Sequence, residues 1–188
     1  MNENGRKLQI GVVGSAGQEE YPLGGGASSR LLEKSRLLGR LLADRGVVVV
    51  TGGKGGVMDA VSKGVKSQGG ITVGIVSGGN RFVSNPSTDI EVLTGASSDG
   101  FDEFLLVTMS DALIVLGGGA GTLQEIAIAY RQGKPIITLG ETGGWADKVR
   151  GCYLDTRKIV KIESELSPEG AVDRIIELAR VRHHGRSS

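Results

Sequence analysis

The stretch from Asp111 to Arg131, DALIVLGGGAGTLQEIAIAYR, constrains this chain more than any other. Five apolar residues, Ala112 to Leu116, run into Gly117-Gly118-Gly119-Ala120-Gly121. Thr122 then opens a segment in which Leu123, Ile126, Ala127 and Tyr130 recur at i, i+3, i+4 and i+7. A short apolar run followed by a helical period predicts strand, glycine loop, helix. Such a loop lets backbone N–H groups approach a ligand closely, and the helix start adds donors without intrahelical partners and a positive dipole end. The expected ligand is an anion, with phosphate the first choice.

The same pattern recurs along the chain. Leu8 to Val13 ends in Gly14-Ser15-Ala16-Gly17, and Val47 to Val50 runs into Thr51-Gly52-Gly53-Lys54-Gly55-Gly56, with a helix expected from about Val57 to Gln68. Ile71 to Val76, Ile90 to Leu93, Pro135 to Leu139 and Ile159 to Ile162 supply further strands. Helices are expected from a Ser28 or Ser29 cap to Arg45-Gly46, from Asp99 to Met109 under a Ser98 or Asp99 cap, and onward from Ser167-Pro168-Glu169. Thr142-Gly143-Gly144-Trp145 reads as one more glycine-rich turn.

With no repeat and no long linker, this alternation predicts one α/β domain over residues 1–188: a doubly wound, mostly parallel Rossmann-like sheet with helices on both faces. Glycine makes up 32 of the 188 residues, more than twice a usual share of roughly 7%. Its clustering after apolar runs places the loops outside the carboxyl ends of the strands, where open α/β sheets bind ligands.

Bulk properties exclude several classes. Lys plus Arg total 22 against 21 for Asp plus Glu, a net charge of +1, so no global field calls for nucleic acid or an anionic membrane as partner. Cys152 is the only cysteine, which excludes an internal disulfide or a multi-Cys zinc site and fits a reducing, cytoplasmic setting. MNENGRKLQI lacks the apolar core of a signal peptide, and no run approaches the roughly 18 apolar residues of a membrane helix. His183 and His184, adjacent in a basic tail, make a poor metal site, so no metal is expected.

Two standard phosphate motifs are also absent. Neither Lys54 nor Lys134 continues into the Ser or Thr of a Walker A loop, and G-x-G-x-x-G occurs at none of the strand-to-helix junctions. The binding residues are therefore expected in three loops sharing one crevice: Gly14, Ser15 and Ala16; Gly52, Gly53, Lys54, Gly55 and Gly56; Gly117, Gly118, Gly119, Ala120, Gly121 and Thr122. Lys54 is read either as a loose phosphate clamp or as a solvated charge. Glu125, three residues after Thr122, has two readings: a capping-box acid bonded back to the loop, or a carboxylate in the crevice beside a bound sugar, where it would stabilise charge developing during glycosidic cleavage.

Gly118-Gly119-Ala120-Gly121-Thr122-Leu123-Gln124-Glu125 resembles the PGGxGTxxE signature of the LOG family, nucleoside-monophosphate phosphoribohydrolases often labelled lysine decarboxylases. Gly14-Ser15-Ala16, Gly52-Gly53-Lys54-Gly55-Gly56-Val57-Met58 and Ser110-Asp111-Ala112 extend the likeness over most of residues 8 to 140. Gly117 replaces the family's proline, and Asp102-Glu103 stands where those hydrolases carry a catalytic arginine.

The version without that arginine is similar to the molybdenum cofactor carrier proteins of the wider SLOG superfamily. This resemblance implies a homo-oligomeric binding protein for a small phosphorylated ligand, with the molybdenum cofactor, a phosphopterin, foremost. It further implies that Glu125 is a binding or capping residue; Arg81, whose loop follows the third strand, is a candidate phosphate or pterin contact. The competing implication is a phosphoribohydrolase acting on a nucleotide monophosphate through Glu125; a nucleotide sensor is a third. Arg30 and Arg81 are the candidates to replace the missing arginine. No context for a Schiff-base lysine is evident, so a pyridoxal-dependent decarboxylase and any covalent cofactor are not expected.

Overall fold

A computed structural model describes residues 5–17, 28–96 and 100–184. Among them, β1 (Gln9–Gly14), β2 (Val48–Thr51), β3 (Ile71–Val76), β4 (Ile90–Leu93), β5 (Ala112–Leu116), β6 (Ile136–Leu139) and β7 (Glu163–Glu165) form one sheet. Its order is β4-β3-β2-β1-β5-β6-β7, with every neighbouring pair parallel. Helices α1 (Ser29–Asp44), α2 (Val57–Ser67), α3 (Phe101–Met109), α4 (Ala120–Arg131), α5 (Gly144–Val149) and α6 (Pro168–His184) complete the fold. After β1 the chain winds outward through β2, β3 and β4, then crosses back to place β5 beside β1. That reversal makes the carboxyl ends of β1 and β5 the topological switch point.

The continuous apolar runs follow from burial on both faces. Successive side chains point to opposite sides of a strand, so Val12 and Ile114 pack with Leu38, Val61 and Ile175 from α1, α2 and α6. Their neighbours Val13 and Val115 pack with Leu106, Ile126 and Ala146 from α3, α4 and α5. Each face thus has its own core.

Helices α1 and α2 come into backbone contact at Gly39 and Gly64. A Cβ on Gly39 would lie 2.2 Å from the Val61 carbonyl oxygen, and one on Gly64 would lie 2.1 Å from that of Arg36. Ser28 caps α1 as expected, its Oγ accepting from Leu31 N–H at 3.3 Å. The candidate caps Ser98 and Asp99 lie outside the described residues, and Gly100 stands at the N-cap of α3.

Three boundaries differ from the sequence expectation. Helix α4 begins at Ala120, two residues before Thr122. The Thr142–Trp145 turn leads into a short helix, α5, whose start is closed by Asp147 accepting from Glu141 and Gly143 N–H, both at 2.8 Å. Residues Ile159 to Ile162 are not a strand: pairing with β6 begins at Glu163. The physical reason is that Ile162 trades backbone bonds with the turn at Gly151 and Cys152, while Ile159 N–H donates to the Tyr130 hydroxyl. Ile162 plugs the core from this irregular segment, while Ile159 stays exposed.

Tyr130 is 1% exposed, and its hydroxyl also donates to Asp155 at 3.0 Å. Tyr130→Phe leaves the Ile159 N–H without its partner and removes one bond to Asp155 Oδ1, which still accepts from Arg157 N–H, and is expected to cost about 1–3 kcal/mol. A denaturant melt should show this; an unchanged midpoint would mean that water replaces the hydroxyl.

Candidate functional site

Three loops leave the carboxyl ends of β1, β2 and β5 and converge at the switch point. Gly56 joins the first two. Its φ is +65°, and a Cβ there would lie 2.4 Å from the Ser15 carbonyl oxygen, which accepts from Val57 N–H at 2.9 Å. Only glycine combines that left-handed backbone with so close an approach. The second loop is braced further by Asn85, whose backbone N–H donates to the Gly53 carbonyl at 2.7 Å and whose side chain donates to that of Lys54 at 3.1 Å.

The β5 loop divides into two halves. Gly117 N–H donates to Thr142 Oγ1 at 3.0 Å and Gly118 N–H to Ser15 Oγ at 2.9 Å, while their carbonyls accept from Ala146 and Trp145 at the start of α5. This half holds the loops together and has its donors occupied. In the other half, the first helical bond runs from Leu123 N–H to the Gly119 carbonyl, so the N–H groups of Ala120, Gly121 and Thr122 have no intrahelical acceptor.

Between the loops lies a crevice of about 100 Å³, open to solvent on one side. Of the residues expected from sequence, Gly14, Ala16, Gly52, Lys54, Gly119, Gly121, Thr122 and Glu125 line it. Ser15, Gly53, Gly55, Gly56, Gly117, Gly118 and Ala120 belong to the surrounding loops rather than to its wall. Arg81 is elsewhere: it borders a separate depression with Ser84, Asn85 and Pro86, its guanidinium 5.3 Å from the Phe82 ring. Neither Arg30 nor Arg81 reaches the crevice wall.

The wall also includes Met58, Ile75 and Leu106, which in sequence are indistinguishable from core residues, together with Asp102 and Glu103 from α3. Glu103 serves two elements at once. One carboxylate oxygen accepts from Gly100 N–H at 3.0 Å, and the other lies 3.8 Å from where a Cβ on Gly121 would sit. The chain's own carboxylate therefore already stands over the first turn of α4.

Glu125 is not a capping residue. The N-cap Gly119 receives no side-chain cap, and among the described residues the Glu125 carboxyl has no hydrogen-bond partner. Half-buried in the crevice wall, it is pushed up to about 8, by burial first and then by the nearby charge of Glu103, with Lys54 opposing. Such a carboxyl is mostly neutral at pH 7, which makes it a proton donor as well as an acceptor. Strong perturbation by burial and a charged neighbour in a cleft marks a functional position.

An all-parallel, doubly wound sheet with a glycine-walled crevice at its switch point defines the class: a Rossmann-like α/β protein of the LOG type. The chain belongs to the SLOG cluster4 family, whose profile matches residues 7–170. It is 38% identical over 132 residues to a protein of Archaeoglobus fulgidus, covering 70% of this chain and 80% of that one.

The structure is similar to that of a molybdenum cofactor binding protein from Rippkaea orientalis, with a TM-score of 0.76 and 30% identity over 92% of this chain and 98% of the other. A cytokinin riboside 5'-monophosphate phosphoribohydrolase of Mycobacterium tuberculosis is 29% identical over 142 residues, 72% of this chain and 76% of the hydrolase.

Proposed function

We propose that this protein binds a phosphorylated heterocycle in the crevice and holds it without cleaving it, with the molybdenum cofactor as the leading ligand. The observation that carries this reading is the composition of the wall: a glycine-rich rim, Lys54 and unpaired helix-start donors offer anion contacts, while among the described residues no arginine lines the crevice with Glu125. Two helix starts supply donors. In α2 the first intrahelical bond joins Ala60 N–H to the Gly56 carbonyl, leaving the N–H groups of Met58 and Asp59 without intrahelical acceptors. The likeness to the Rippkaea orientalis protein supports the choice of cofactor.

The second reading is hydrolysis of a nucleoside monophosphate at its N-glycosidic bond. What favours it is the placement of the Glu125 carboxyl in the crevice instead of on the loop backbone. The Mycobacterium tuberculosis relative points the same way. Without a guanidinium to hold substrate against that carboxyl, positioning and charge stabilisation are both weakened.

The two readings separate in one experiment. Purified protein is incubated with AMP, and free base is measured by chromatography, beside a binding titration with a phosphopterin. Saturable phosphopterin binding and no base release are expected. Base release that disappears in Glu125→Gln would establish the hydrolase instead.

A further inference from the structure

Charge is unevenly spread along this chain. Residues 148–161 carry Lys148, Arg150, Arg157, Lys158 and Lys161 against a single acid, Asp155, so the rest of a chain whose net charge is +1 is net negative. None of these residues lines the crevice. The segment runs from the end of α5 toward β7 and folds back on itself, Gly151 N–H donating to the Ile162 carbonyl at 2.8 Å and Ile162 N–H to that of Cys152 at 2.9 Å. That closure brings the stretch carrying Arg150 beside the one carrying Lys161. Tyr130 anchors the loop to the core through Asp155 and Ile159 N–H.

The carboxylates within and flanking the loop in sequence are engaged elsewhere. Asp147 closes the start of α5, Asp155 takes Arg157 Nε at 2.8 Å, and Glu163 takes Arg174. Lys148, Arg150, Lys158 and Lys161 are exposed, and among the described residues none of the four forms an ion pair. Two are nonetheless held in place: Lys148 Nζ stands 4.7 Å from the centre of the Trp145 ring and Lys158 Nζ 5.9 Å from that of Tyr153. Lysines attracted to ring faces lose less freedom when a partner orders them.

We propose that this basic loop docks the acidic face of a partner protein. Complementary charge speeds the encounter and sets its orientation. Tyr153 and Ile159, 43% and 41% exposed among the cations, add the aromatic and apolar contact found at the centre of protein interfaces. Single-stranded nucleic acid fits less well, because it stacks its bases on open aromatic faces and both rings here already hold a lysine. A basic cluster that grips an anionic membrane sits on an amphipathic helix or beside a membrane span, and this segment is neither.

The test is fluorescence anisotropy of a labelled decaglutamate peptide titrated with the full chain over a range of salt. Binding at low ionic strength that weakens as salt rises is expected. Reversing the four cations together, Lys148→Glu, Arg150→Glu, Lys158→Glu and Lys161→Glu, should weaken it about tenfold or more. Reversing Arg30, Arg36, Lys66 and Arg81, exposed cations outside the loop, changes net charge equally and should leave binding close to that of the unaltered chain. Circular dichroism checks both proteins. Should the first fail to fold, Lys148→Gln with Lys158→Gln serves in its place, with a smaller loss expected. Equal losses in the loop and control variants overturn docking at the loop, and so does an absence of binding at low ionic strength. Tighter binding of an oligothymidylate, or of phosphatidylserine vesicles, than of the peptide overturns the choice of a protein partner.

Discussion

Glu125→Gln is expected to stabilise the protein at pH 8 and to leave its stability nearly unchanged at pH 4. The Glu125 carboxyl sits at about 8 in the folded chain against an ordinary value of 4.5. Between those two values the folded state holds a proton that the unfolded state has released. Stability therefore falls as pH rises through that window, and levels off above the folded value.

At roughly 1.4 kcal/mol for each pH unit of difference, the penalty reaches a few kcal/mol by pH 8. Glutamine is similar in size and does not titrate. Since Glu125 has no hydrogen bond to lose among the described residues, the substitution removes the penalty and leaves the packing in place. Thermal melts at the two pH values, on both proteins, read the effect directly. A pH-independent difference would mean that the carboxyl is hydrated and titrates normally.

Gly64→Ala is expected to destabilise strongly, although alanine is the better helix former by about 1 kcal/mol. The added methyl would meet the Arg36 carbonyl oxygen at 2.1 Å and the Arg40 nitrogen at 3.0 Å. Both are backbone atoms of α1, so no side chain can rotate away and the helices must separate. Overpacking of this kind costs about 1–3 kcal/mol, and more where the obstacle is backbone.

Displacing α2 would also move Gly56 and Val57 off Ser15, loosening the crevice rim. Denaturant unfolding should give a net loss of about 2 kcal/mol or more after the propensity gain, together with weaker phosphopterin binding. A neutral result would show that α1 and α2 slide apart freely.

Much of this architecture is legible in the residues because pattern and burial agree. Ala112–Leu116 is apolar throughout since both faces of β5 are covered, and the α4 stripe follows from its packing on the sheet. The failure at Ile159–Ile162 has the opposite origin: Ile162 is buried from an irregular segment and Ile159 is exposed, while the true strand, Glu163–Ser164–Glu165, lies at an edge with only three residues to pair. Composition marks burial, and at an edge burial and strand pairing separate.

The site divides in the same way. Glycine loops after strands announce the rim, since close backbone contact there demands residues without side chains. The remaining wall is carried by Ile75 in β3 and Leu106 in α3, whose local patterns match those of core positions. The exclusion of Arg81 from the crevice follows from Glu91, which ties down the loop after β3 by accepting from Phe82 N–H at 2.7 Å and Ser84 N–H at 2.8 Å. Ser84 Oγ adds a third bond at 2.6 Å, and these donors hold the Glu91 carboxyl down to about 2. Such closure between a loop and the edge strand after it leaves no periodic signal in the sequence.

Strand β7 has a consequence for behaviour at high concentration. An open sheet ends in rows of unpaired backbone groups that another chain can recruit. This edge offers three residues, two of them acidic. Arg174 from α6 grips Glu163 through Nε at 2.7 Å and Nη2 at 2.9 Å. A second copy approaching here would meet its own negative charges and too short a ladder to gain from pairing. Edge-to-edge polymerisation is disfavoured on this side of the molecule.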